Sequence, residues 1–214
     1  MTNKKYFIGN WKMFGDFNSF KIIKKINQYC SKSKKYKVVL CVPNTLIHFF
    51  NKKLKSKNIY LGAQNCHHSD SYGAYTGSVS AYMIKKAGAE YIILGHSENR
   101  QIGDTNPLIK KKIESSLKQK LNIIYCIGEN LSERRNKKTL FVLRKQIRSC
   151  IEKKYNLKKI IIAYEPVWSI GTNKILMSNE LKKIIKFIKR EYKEKFRTRT
   201  FPKVLYGGSV NQKN

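Results

Sequence analysis

Acidic residues are scarce in this chain. Its 214 residues hold 13 Asp and Glu against 45 Lys and Arg, a formal net charge of +32 at pH 7. Such an imbalance first suggests a binder of polyanions such as RNA. Arginine is scarce too: 8 of the basic residues are Arg and 37 are Lys. Arginine is the better fork for phosphates and bases, and the lysines are spread over every predicted helix. This pattern fits compositional drift toward Lys, Ile, Asn, Tyr and Phe, the residues of AT-rich codons. No specific nucleic-acid site is expected, although a positive field speeds the approach of a dianionic ligand at low salt.

Other absences narrow the class further. No apolar stretch approaches the roughly 18–20 residues of a membrane helix, so no membrane span is expected. The first five residues, MTNKK, lack the apolar run of a signal peptide, and a cytoplasmic location is expected. Cys30, Cys41, Cys66, Cys126 and Cys150 show no Cys-x-x-Cys spacing. That argues against a zinc motif and a disulfide scaffold, and for reduced thiols. No Gly-x-Gly-x-x-Gly follows the first strand candidate, which weakens a dinucleotide-binding reading. With no internal repeat or low-complexity linker, residues 1–214 are expected to form one domain.

What is present is a series of short β-rich runs, at 6–10, 37–42, 58–63, 91–95, 122–127, 160–164 and 204–207. Segments of helical spacing lie between them. Phe20, Ile22, Ile23, Ile26 and Tyr29 predict the apolar face of the first. Leu108, Ile109, Ile113 and Leu117 predict that of a middle one. Leu140, Leu143, Ile147 and Ile151, then Leu181, Ile184, Ile185 and Ile188, predict two more. Strands alternating with helices imply an α/β fold with a parallel sheet. Polar residues cluster just after the strands, the active end of either a barrel or an open sheet.

The most informative stretch is 160–172, IIIAYEPVWSIGT. A buried strand should end at Glu165, and Pro166 prevents its continuation. An apolar loop follows, closed by Gly171, which can adopt positive φ. Taken alone, the stretch also fits a structural carboxylate with a Trp used for packing. Other segments accompany it: NWKM at 10–13, GAQNC at 62–66, GAYTG at 73–77, GHSE at 95–98, YCIGE at 125–129 and YGGSV at 206–210.

Together, in order from Phe7 to the end of the chain, these segments resemble the triosephosphate isomerase family. The resemblance implies a (β/α)8 barrel and the interconversion of dihydroxyacetone phosphate and D-glyceraldehyde 3-phosphate in glycolysis and gluconeogenesis. It implies no cofactor and no metal. In the family a further helix, an eighth strand and an eighth helix follow the seventh strand. The expectation is therefore that this chain lacks the last βα unit. The alternative is a catalytically impaired remnant acting as a binding or structural protein, with polyanions among its candidate ligands.

The resemblance also implies roles for individual residues. Glu165 is the general base that shuttles a proton between adjacent carbons through an enediolate. His96 polarises the carbonyl as a neutral imidazole, a property carried over from this very family, its best-known example. Lys12 supplies a fixed positive charge near oxyanion and phosphate, Asn10 hydrogen-bonds the same region, and Glu98 orients Lys12. Gly171 and Ser209 donate backbone N–H groups to the phosphate. Residues 166–168 form the first hinge of a lid, and Asn173 and Lys174 begin the second. An Arg100–Asp104 pair is expected, with Asp104 in place of a usual Glu and Asn99 in place of a usual Arg. The loop of residues 73–79, from Gly73 to Val79, implies a homodimer, with Thr76 reaching the partner's site. Ser78 stands where a Glu is usual.

Overall fold

A computed structural model describes residues 4–32, 35–54, 58–172, 174–198 and 201–210. Asn173, expected at the second lid hinge, lies outside them. The chain divides into two compact units. One comprises residues up to Leu94 with Ser115–Ile123, and the other comprises Gly95–Glu114 and the chain from Ile124.

The first unit contains β1 (Lys5–Asn10), α1 (Phe20–Ser31), β2 (Tyr36–Cys41), α2 (Asn44–Lys53), β3 (Ile59–Ala63), α3 (Ala81–Ala87) and β4 (Tyr91–Leu94). Its strands are parallel and lie side by side in chain order. Phe7 pairs with Val38, Val39 with Tyr60 and Gly62 with Tyr91. Ile23, Ile47, Phe50, Ile59, Ile84, Ile92 and Leu94 fill the core. The helix α3 begins at Ser80, whose side chain accepts the Met83 N–H, and ends at Gly88 in the left-handed region.

The second unit contains α4 (Ser97–Gln101), most of α5 (Asn106–Lys118), β5 (Asn122–Ile127) from Ile124, α6 (Leu131–Arg135), α7 (Thr139–Cys150), β6 (Ile160–Tyr164), α8 (Ser178–Phe196) and β7 (Lys203–Tyr206). All five residues of β6 are buried, as a strand covered on both faces requires. β6 and β7 pair in parallel, with Tyr164 opposite Tyr206. On α7 and α8, Leu143, Ile147, Ile184 and Ile188 are buried as their spacing predicts. Between these helices the carboxylate of Glu191, 1% exposed, accepts from Arg144 Nε at 2.8 Å and Arg148 Nε at 3.0 Å.

The predicted strands match the observed ones to within a residue or so at each end. The predicted face of α1 needs correction. Ile23 and Asn27 are its buried residues, while Ile22 and Tyr29 point to solvent. Asn27 earns its buried place because its side chain accepts the Asn58 N–H at 2.8 Å. Leu140 of α7 is likewise exposed. Among the described residues no helix is long and apolar enough to cross a membrane.

Candidate active site

The ladder between strands continues one residue past their ends in the second unit. The Glu165 N–H donates to Ile127 O at 2.8 Å, and the Gly207 N–H donates to Tyr164 O at 3.0 Å. Glu165 is thus fixed by a backbone bond just past the end of a buried strand while its side chain stays partly open, at 16% exposure. Its neighbours are glycines for steric reasons. A Cβ on Gly128 would meet the Glu165 carbonyl oxygen at 1.9 Å.

His96 follows β4 and caps α4. Its Nδ1 accepts the Glu98 N–H at 3.3 Å. A nitrogen that accepts a hydrogen bond carries no proton, so this contact selects the neutral tautomer with hydrogen on Nε2. That Nε2 lies 3.7 Å from Glu165 Oε2. The Glu98 carboxylate lies 3.6 Å from the Nδ1 side. His96, Glu98 and Glu165 are thus brought together, with a carboxylate and a neutral N–H donor side by side.

The expected Arg100–Asp104 pair is not formed. Arg100 turns instead to Gly95 O and Asn106 Oδ1, each at 2.8 Å, and to Cys126 O at 3.3 Å. It braces the strand ends beside His96, where carbonyls and an amide already supply enough acceptors for its fork. Asp104 pairs with Lys112 at 2.6 Å, both groups buried.

After Glu165, Pro166 opens a 3-10 turn at Val167–Ser169. The Trp168 indole donates to Glu129 Oε1 at 2.9 Å, and the Tyr164 hydroxyl donates to the same carboxylate. Arg134 stacks on the Trp168 ring at 4.4 Å. Burial pushes the Glu129 carboxyl up, while the Trp168, Tyr164 and Arg134 contacts oppose the rise. Farther along the loop, Gly171 takes φ +70°. The Ser209 hydroxyl donates to Ser169 O, and the Leu176 N–H donates to the Tyr206 hydroxyl at 3.2 Å. Trp168, Ser169 and Leu176 are therefore tied to Glu129, which follows β5, and to Ser209 and Tyr206 at the end of β7.

Asn10 and Lys12 belong to the first unit. Lys12 holds a left-handed φ of 52°, which costs a non-glycine residue roughly 1–2 kcal/mol. Two bonds hold it there. Asn10 Oδ1 accepts the Lys12 N–H at 2.9 Å, and Gln64 Nε2 donates to Lys12 O at 2.8 Å and Cys41 O at 3.0 Å. Gln64, Glu129 and Tyr206 were not assigned roles from sequence. Gln64, Glu129 and Tyr206 sit inside segments that carried the resemblance, and that placement was the available signal.

The family model described as triosephosphate isomerase matches residues 5–214. The chain belongs to the triosephosphate isomerase family. It is 36% identical to the triosephosphate isomerase of Bartonella henselae, over 99% of this chain and 84% of its relative. It is 39% identical to that of Alkaliphilus metalliredigens, over 99% of this chain and 87% of its relative. The crystal structure of the Bartonella henselae triosephosphate isomerase superposes with a TM-score of 0.88 at 35% identity, over 97% of this chain and 84% of that one. The fold class is accordingly the α/β barrel of the triosephosphate isomerases.

Proposed function

We propose that this chain is an isomerase that interconverts dihydroxyacetone phosphate and D-glyceraldehyde 3-phosphate, with residues 1–214 belonging to a single isomerase domain. The observation that carries the reading is the pair made by Glu165 and the Nε2–H of neutral His96, 3.7 Å apart. Glu165 takes a proton from the carbon beside the carbonyl. The C–H electron pair forms the enediolate double bond, and charge moves onto the carbonyl oxygen, which His96 stabilises by hydrogen bonding. The carboxyl group then returns a proton to the adjacent carbon, while the hydroxyl proton of the first carbon passes to the former carbonyl oxygen, so that the carbonyl and the hydroxyl exchange places. No electrons leave the substrate, so the reaction needs neither cofactor nor metal.

Lys12 and Asn10 are proposed to hold the oxyanion and phosphate side. The backbone N–H groups of Gly171 and Ser209, both at positive φ, are proposed to take the phosphate when the 166–176 loop covers it. The exposed loop 73–79 is proposed to dock on a second copy. A homodimer working in the cytoplasm is the expected state, and sedimentation should give twice the 25.0 kDa of one chain. The reaction is tested by incubating the protein with dihydroxyacetone phosphate in deuterium oxide and following carbon-bound protons by NMR. Glyceraldehyde 3-phosphate carrying solvent deuterium is expected at C2. A folded protein that leaves the substrate unchanged would contradict the reading.

A further inference from the structure

With 45 basic and 13 acidic residues, most ammonium groups in this chain cannot find a carboxylate. One of them is instead surrounded by tyrosine rings. The Nζ of Lys37 on β2 lies 4.4 Å from the Tyr60 ring centroid, 5.6 Å from that of Tyr91 and 5.7 Å from that of Tyr6. A cation within about 6 Å of an aromatic face is drawn to its negative quadrupole. Each of the three distances falls within that range.

The strand register explains the cluster. Tyr6 pairs with Lys37 across β1 and β2. Tyr60 pairs with Val39, two residues beyond Lys37, and Tyr91 pairs with Gly62, two residues beyond Tyr60. Side chains alternate with period two, so all four groups share one face of the sheet along a diagonal over β1 to β4. Tyr91 is buried, 2% exposed, and packs edge-on against Tyr60 at 5.6 Å. Tyr6, Lys37 and Tyr60 are half-buried. Burial disfavours the Lys37 ammonium, but a side-chain hydrogen bond to Tyr91 and the electrostatic influence of Tyr91, Tyr6 and Tyr60 outweigh it and favour the charged form. Burial pushes the Tyr91 phenol up to about 12, with the Lys37 ammonium opposing the rise. Among the described residues no carboxylate lies within ion-pair distance of Lys37.

We propose that Tyr6, Tyr60 and Tyr91 form an aromatic cage for an ammonium ion, filled in the native chain by Lys37 and able to take a small alkylammonium cation in its place. None of the four residues is among those proposed for the isomerase reaction. Removing the Lys37 side chain leaves the rings on their strands and opens a space shaped for a cation with a short alkyl tail. A loosely packed apolar pocket would gain from any filler, whereas a cage should gain from a cation in particular.

The test compares the parent with Lys37→Ala by thermal unfolding and calorimetric titration, using ethylammonium chloride against matched sodium chloride. Lys37→Ala should melt about 4 °C lower, on the scale of a modest stability loss in a chain of this size. At roughly 50 mM, ethylammonium should restore about half of that loss by mass action. Sodium chloride should not, and the parent should not shift. Adding Tyr60→Leu, which keeps apolar bulk but removes the nearest π-face, should abolish the rescue and the heat of binding. Equal rescue by sodium chloride, an equal shift of the parent, or rescue that survives Tyr60→Leu would overturn the proposal. Should Lys37→Ala fail to fold, Lys37→Arg and Lys37→Met decide instead. The cage requires Arg to melt near the parent and Met to melt lower, and a Met variant as stable as the Arg variant would overturn it.

Discussion

A Cβ on Gly207 would stand 2.7 Å from Cγ of Glu165 and 2.9 Å from its Oε1. The end of β7 thus presses on the side chain of the proposed base, and only hydrogen leaves room for it. The obstructed atoms are the movable end of a side chain, so a methyl at Gly207 should displace the carboxylate and leave the strands intact. Gly128 is the contrasting case, because its methyl would strike the Glu165 backbone oxygen at 1.9 Å. Gly207→Ala is expected to lower kcat about 100-fold, the usual consequence of misplacing a reacting group by an ångström, with an unchanged melting temperature. Gly128→Ala should cost about 1–3 kcal/mol of stability, as overpacking does. Isomerase assays and thermal unfolding on both variants separate the two outcomes.

Glu129 gives a pH dependence whose sign can be worked out. Burial raises its carboxyl above the ordinary 4.5. The folded chain therefore binds this proton more tightly than the unfolded chain. The stability it contributes is present in full below the unfolded value and is lost as pH rises through the raised folded value. Glu129→Gln keeps the shape and cannot titrate. As pH rises from the unfolded value through the raised folded one, the parent should lose stability relative to Glu129→Gln. Denaturant unfolding at several pH values checks this, and a parent that gains on the variant as pH rises would contradict it.

Much of this was legible in the chain. Strand positions were readable because β-branched runs such as 160–164 are buried on both faces and end at Pro166 or glycine. The places of Glu165, directly after β6, and of His96, two residues after β4, were readable from the strand positions, while their proposed roles came from the family resemblance. The α1 face was misjudged because Ile22 and Tyr29 are apolar by type, while the buried place beside Ile23 goes to Asn27 through its bond to the Asn58 N–H. The partners of Arg100 were not legible, since main-chain oxygens leave no mark in sequence. Glu129 lies in the 125–129 segment that carried the resemblance, but its role as acceptor for Trp168 and Tyr164 is visible only in three dimensions.

The clamp between α7 and α8 predicts an asymmetry. Glu191 is buried, whereas Arg144 and Arg148 are 44% and 51% exposed. If the carboxylate is lost, both guanidinium groups can turn to water. If both arginines are lost, the carboxylate stays buried without its cations. Glu191→Gln should therefore cost about 1–3 kcal/mol, and the Arg144→Ala, Arg148→Ala double variant about 3–5 kcal/mol. Urea unfolding measures both, and equal losses would mean that the buried charge is not what the arginines hold.

The central claim is that Glu165 moves the proton while neutral His96 holds the oxygen. Its most direct test is the steady-state rate of the Glu165→Gln variant on dihydroxyacetone phosphate, with circular dichroism confirming the fold. Gln keeps the size of the side chain and its place against Gly207 but cannot accept a proton. The account predicts a fall in kcat of about 10³–10⁴-fold, near the upper range for a positioned base, with KM changed little. A folded Glu165→Gln variant that keeps near-parental kcat would contradict it.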